Sequence, residues 1–270
     1  MADLFGLDAY SPREIATQVN DVGVRKARLP LLTVALLGVL AGAFIGLGAL
    51  LFTLVASDAS LGFAVSRLLG GLAFSLGLIL VTVAGAELFT GNNLIAMAWA
   101  SGRLSGRELL ANWVVVCAAN FVGAVALAML VWLSGHGGLN DGAVGRTAVR
   151  IATLKAQLPA LELFMRGVLC NVLVCMAVWM ALAGRSVTDK VLAIVFPIAG
   201  FVAAGFEHSI ANMYFFALAM ALGAPLGVGD VARNLALVIA GNIIGGSVLV
   251  ALVYWVIYLR PGAAPTDPPG

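Results

Sequence analysis

Apolar residues fill this chain in long runs, separated by short polar stretches and without the two-residue alternation of strands. Runs at about residues 30–56, 67–86, 109–133, 160–183 and 233–259 each reach the length of roughly 20 residues that crosses a bilayer as a helix. Another run, from Val191, is interrupted by Gly205-Phe206-Glu207-His208-Ser209-Ile210-Ala211-Asn212 and resumes to about Gly223. The run that starts near Arg67 meets a similar interruption, Glu87-Leu88-Phe89-Thr90-Gly91-Asn92-Asn93, before the short apolar piece Leu94–Ala100. The pattern predicts an all-α polytopic membrane protein with six transmembrane helices, the second and fifth broken. A barrel would instead show segments of about ten alternating residues.

The ends differ from the body. Residues 1–28 are polar and mixed in charge, and Ser11-Pro12-Arg13-Glu14 reads as the start of an amphipathic helix. The first apolar run is too long for a cleavable signal core of about 7–15 residues. The predicted domains are an N-terminal cytoplasmic segment (1–28), a six-span body (29–260) and a disordered proline-rich tail (261–270). The glycine-rich stretch from His136 to about Pro159 reads as a loop. Nine basic residues fall on the side of the termini and six on the other, which places both termini in the cytoplasm.

The polar punctuation repeats. Gly85-x-Glu87-x-x-x-x-Asn92 recurs as Gly205-x-Glu207-x-x-x-x-Asn212, at an offset of 120. Asn112 and Asn120-x-x-Gly123 recur as Asn234 and Asn242-x-x-Gly245, at 122. Leu29-Pro30 with Gly38-Val39-Leu40 recurs as Leu158-Pro159 with Gly167-Val168-Leu169, at 129. The two halves, 29–135 and 158–260, carry three spans each. An odd number makes the second half enter from the opposite side, as an inverted repeat. Gly38, Gly42 and Gly46 form a small-residue stripe suited to a bundle or oligomer contact.

Composition narrows the function. The chain is 62% hydrophobic and 10% charged, against about 25% charged in soluble domains. A net charge of +2 gives no reason to expect a nucleic-acid partner. Cys117, Cys170 and Cys175 sit in apolar runs without metal-ligand spacing and read as small hydrophobes. No nucleotide, metal or nucleophile motif occurs, so neither an enzyme nor a cofactor is expected.

Ionisable groups at membrane depth are costly and are functional candidates. Glu87 and Glu207 could exchange protons or touch a substrate, or could serve as hydrogen-bonded scaffold; their duplication favours scaffold. Asn92, Asn212, Asn120 and Asn242 suit the freed backbone at the breaks. His208 mirrors Leu88, so the repeat does not demand it, and it is one of only two histidines. Thr90 either offers its hydroxyl to a bound species or caps a helix. Lys155 reads as a solvated loop residue or as a cation at a pore mouth. Phe74, Leu78, Leu88, Val174 and Phe201 flank the breaks, as core or as pore gates.

Phe74-Ser-Leu-Gly-Leu, Glu87-Leu-Phe-Thr90-Gly, Cys170-Asn171-x-x-Val174-Cys-x-Ala-x-Trp179, Gly205-Phe-Glu-His208-Ser-Ile-Ala-Asn212-Met and Gly241-Asn-Ile-Ile-Gly245-Gly together resemble the formate/nitrite transporter family, most of all its bacterial formate channels. The resemblance implies an aquaporin-like protomer in a homopentamer of the bacterial inner membrane, each protomer with its own pore. It implies passage of formate, with nitrite or hydrosulfide as the rival anion, as the neutral acid or with a proton. It assigns Lys155 to the periplasmic mouth and Thr90 and His208 to the pore centre, with Asn171 nearby. Phe74, Leu78 and Val174 would form a periplasmic constriction, and Leu88 with Phe201 a cytoplasmic one. The N-terminal segment would cover the cytoplasmic mouth. The competing class, a neutral-solute aquaporin-type channel, would place a proline in each break, and neither break has one.

Overall fold

A computed structural model describes residues 9–262. The expectations for residues 1–8 and for most of the C-terminal tail, 263–270, lie outside the described residues. The described chain is helical throughout. Its helices are α1 (Pro12–Ala27), α2 (Leu31–Ala56), α3 (Phe63–Gly85), α4 (89–100), α5 (Gly106–Leu133), α6 (Ala143–Gln157), α7 (Ala160–Ala183), α8 (Val187–Ala204), α9 (Ser209–Ala221) and α10 (Val228–Tyr258). Six of them (α2, α3, α5, α7, α8 and α10) are long and apolar enough to cross a membrane, so this is a multi-pass membrane protein. The element order is the same in both halves: amphipathic helix, span, span, short helix, span.

Local chemistry explains the boundaries. Ser11 and Glu14 form a reciprocal capping box, with Pro12 in the first turn of α1. Ser105 with Glu108 and Ser186 with Asp189 do the same for α5 and α8. Both α3 and α8 stop at a glycine in the left-handed region, Gly85 (φ +84) and Gly205 (φ +77), which a side chain would strain. Residues 88 and 208 are extended, and a new helix starts immediately after each.

The stretch 136–159 is not a loop. After a short 3-10 turn it forms α6, whose Val144, Thr147, Ala148 and Ala152 are buried. The glycines before it hid a helix whose apolar positions recur every three or four residues. Nor is the N-terminal segment separate from the body. Ile15, Ala16 and Val19 of α1 pack in one apolar cluster with Met97, Trp179 and Val250.

The glycine stripe is a contact inside the bundle. A Cβ on Gly42 would meet the Asn120 backbone carbonyl, and one on Gly123 that of Val39, so α2 and α5 touch backbone to backbone. Gly245 holds α10 against Val168 of α7 in the same way. These close crossings bring Asn120 and Asn242 to the breaks.

Candidate functional site

Each break frees backbone groups that need partners away from water. The amide of Glu87 donates to the carbonyl of Leu37 (3.2 Å), and that of Glu207 to Arg166 (3.2 Å). Asn120 Oδ1 accepts from the Phe89 amide (2.9 Å), while its Nδ2 donates to the carbonyls of Gly38 (2.7 Å) and Glu87 (2.9 Å). Asn242 does the same for Ser209 (3.0 Å), Gly167 (2.8 Å) and Glu207 (3.0 Å). These two asparagines satisfy broken backbone, as their positions suggest.

Asn92 and Asn212 act differently: they donate to side chains. Asn92 Nδ2 donates to Glu87 Oε2 (2.7 Å) and Asn112 Oδ1 (3.0 Å), and Asn212 Nδ2 to Glu207 Oε2 (2.7 Å) and Asn234 Oδ1 (2.9 Å). Each carboxylate also meets a lysine. Lys155 Nζ lies 2.8 Å from Glu207 Oε1, and Lys26 Nζ lies 3.1 Å from Glu87 Oε1. Lys155 is therefore no solvated loop residue; it lies in the last turn of α6 with its side chain 16% exposed, and its Nζ is 5.5 Å from the Phe215 ring centroid. Lys26 is the residue that sequence reasoning missed. The offset of 129 that relates Leu29 to Leu158 also pairs Lys26 with Lys155, and that is its signal in the sequence.

His208 and Thr90 come together across the breaks, with Nε2 and Oγ1 3.0 Å apart and both residues buried. His208 Nδ1 accepts from the Ala211 amide (3.2 Å), capping α9. A nitrogen that accepts cannot carry the proton of a neutral ring. This bond network assigns that proton to Nε2, which then donates to Thr90 Oγ1. The Thr90 hydroxyl proton is left for another acceptor. Thr90 caps no helix, because α4 starts without a side-chain cap. Asn171 is fully buried and donates to the carbonyls of Thr90 (3.2 Å) and Asn242 (2.7 Å) and to Asn93 Oδ1 (2.7 Å).

Two cavities lie near this pair, and the second reaches His208. One, of about 430 Å³, is lined by α1 residues, Lys26, Glu87, Leu78, Leu88 and Gly91. The other, of about 230 Å³, is lined by Lys155, Glu207, Phe74, Phe201 and His208, with Arg67 and Arg166 further along its wall. Four of the five apolar residues expected as gates line one cavity or the other. Phe74 and Phe201 stand together on the Lys155 side, in an edge-to-face contact at 5.6 Å, and Phe201 stacks on His208 at 5.8 Å. Leu78 and Leu88 line the Lys26 side. The reason is the fold: α3 and α8 pack along each other, which brings Phe74 to Phe201, while Leu78 lies one turn further along α3. Val174 is buried in the core cluster and lines neither cavity.

The cavities also differ in charge. The smaller carries three cations, Arg67, Lys155 and Arg166, against one lining carboxylate, Glu207. The larger has one of each, Lys26 and Glu87. Arg67 hooks the end of α8, donating to the carbonyls of Val202 (2.6 Å) and Ala203 (3.0 Å). A lone arginine at a span end gave no sequence signal for this.

Residues 13–256 match a family profile described as formate/nitrite transporter. The chain is 39% identical to the formate channel FocA of Escherichia coli K12, across 94% of this chain and 96% of that protein. It is 36% identical to a probable formate transporter of Methanothermobacter thermautotrophicus, across 94% and 99%. Among solved structures, one titled a pentameric formate channel with formate bound superposes with a TM-score of 0.77 at 39% identity, covering 85% of this chain and 98% of that one.

Proposed function

This chain belongs to the formate/nitrite transporter family, and from that premise we propose that it is a formate channel, assembled as a homopentamer with one pathway through each protomer. One observation carries the reading: two lysine-bearing cavities approach a single buried Thr90–His208 hydrogen bond, one through Leu88 and Gly91 and the other through His208.

The two halves are an inverted repeat, and Lys26, Glu87 and Asn92 stand in one half where Lys155, Glu207 and Asn212 stand in the other. The termini face the cytoplasm, so the Lys155 cavity is the periplasmic mouth and the Lys26 cavity the cytoplasmic one. The periplasmic excess of cations raises the local concentration of a small anion. A bare anion is poorly tolerated between Phe74 and Phe201 or between Leu78 and Leu88. Low dielectric there favours the neutral acid over its anion. His208 and Thr90 offer a donor and an exchangeable proton at the point where the substrate must shed charge. The anion takes the Thr90 hydroxyl proton, His208 Nε2 gives its own proton to Thr90, a proton from solvent restores the neutral ring, and the neutral acid passes.

The test is flux of formate, nitrite and hydrosulfide into proteoliposomes holding the purified protein. Formate should cross in a pH-dependent way, and His208→Phe should abolish its flux or remove that dependence. An unchanged flux and pH profile in His208→Phe would sink the relay. Preference for nitrite or hydrosulfide over formate would reassign the substrate.

A further inference from the structure

The offsets that pair the two halves also show where they differ. Thr90 pairs with Ile210, His208 with Leu88, Asn93 with Met213, Asn171 with Gly42 and Ser247 with Val125. In each pair a buried polar side chain stands where the other half has an apolar residue or glycine. These five lie on three helices (α4, α7 and α10) and at one break, yet they join in one network. His208 Nε2 bonds Thr90 Oγ1, and Asn171 Nδ2 reaches the Thr90 carbonyl. Asn171 Nδ2 also donates to Asn93 Oδ1 (2.7 Å), and Ser247 Oγ donates to the Asn93 carbonyl (3.3 Å). Thr53 and Ser57, also buried, bond only to carbonyls of their own helix.

We propose that Asn93 is a positioning residue for the Thr90–His208 pair, acting through Asn171. The Asn171 amide has two hydrogens for three acceptors: Asn93 Oδ1 and the Asn242 carbonyl at 2.7 Å, and the Thr90 carbonyl at 3.2 Å. Asn171 Oδ1 has no partner among the described residues, so the amide is held through its nitrogen alone. Asn93 Oδ1 is the one side-chain acceptor in that set, and it holds the amide away from Thr90. Without it, a hydrogen is released to the Thr90 carbonyl, and residue 90 is drawn off its line to His208. The cluster is tightly enclosed. A Cβ on Gly246 would collide with Asn171 Nδ2 and lie 2.8 Å from Asn93 Cβ and from Cys175 Sγ.

The experiment compares wild type, Asn93→Leu and Ser247→Ala in lipid by two readouts. The first is the ¹⁵N spectrum of histidine-labelled protein, in which the only two histidines are separated by a His136→Gln reference. The second is formate flux, which alone rests on the channel reading above. Wild type should show His208 as a single tautomer with the proton on Nε2. In Asn93→Leu the ring should become a mixture of tautomers, and flux should fall by up to about a hundredfold, the loss that misplacement of a reacting group by roughly 1 Å can bring. Ser247→Ala, which loosens Asn93 without removing its amide, should move the same signal less. An assembled Asn93→Leu protein with both readouts at wild-type values overturns the proposal. If that variant does not assemble, an unmoved His208 signal in Ser247→Ala overturns it. Absence of formate flux in wild type would count against the channel reading and leave the spectroscopic result standing.

Discussion

At the scale of single residues, the lysine–carboxylate pairs must be divided between structure and function. Glu207 is buried and its partner Lys155 nearly so. Removing one partner of such a pair leaves an uncompensated charge, at a cost of about 3 kcal/mol or more. Lys155→Ala should therefore lower the melting temperature and also lower formate uptake at dilute formate, the latter roughly tenfold and less at high salt. The double variant Lys155→Ala with Glu207→Gln should recover the stability but not the uptake, as measured by thermal unfolding and initial rates. Recovery of both would make the pair purely structural. The sequence carried part of this. It marked both glutamates as duplicated scaffold and Lys155 as a candidate. It could not show the ion pair, because Lys155 and Glu207 are 52 positions apart and meet only when α6 folds back over the break. The neutral-ring tautomer of His208 was equally hidden, because it follows from the Ala211 amide at the start of α9.

At the scale of elements, the packing of α2 on α5 decides where Asn120 sits, and therefore how the first break is held. Gly42→Ala puts a methyl group into the Asn120 backbone and should force the helices apart, with overpacking that costs about 1–3 kcal/mol. Gly200→Ala in α8 meets nothing within 4 Å and should leave the melting temperature unchanged. Thermal unfolding of the two variants in detergent checks the contrast, and equal melting temperatures would refute the close crossing. The spacing of Gly38, Gly42 and Gly46 announced a tight contact but not its partner. A small-residue stripe fits an oligomer or a bundle neighbour equally well until the bundle is folded. Helix α6 was missed for a different reason: its glycine-rich approach resembles a loop, and its apolar face has no single long run to reveal it.

At the scale of the whole molecule, the proposed pentamer gives each protomer its own pathway. Liposomes holding pentamers mixed from wild-type and His208→Phe subunits should carry formate in proportion to the wild-type fraction. A loss steeper than linear would point to a pathway shared between subunits. The large apolar residues exposed on the spans, such as Leu31, Phe63 and Phe196, are what a lipid or subunit contact would cover. By itself the sequence determined that this is a helical membrane protein of six spans with two interruptions, because the length of an apolar run is a local property that the bilayer reads directly. It also showed which polar residues recur in order at matching spacings in the two halves, because such a recurrence is a property of the sequence alone. Only the tertiary structure decided which apolar residues line which cavity, that Lys26 and Lys155 each reach the carboxylate of their own half, and that Thr90 meets His208. Those relations depend on helices crossing at glycine contacts and on two breaks 120 residues apart coming together, and no local pattern encodes a distance between segments that far apart.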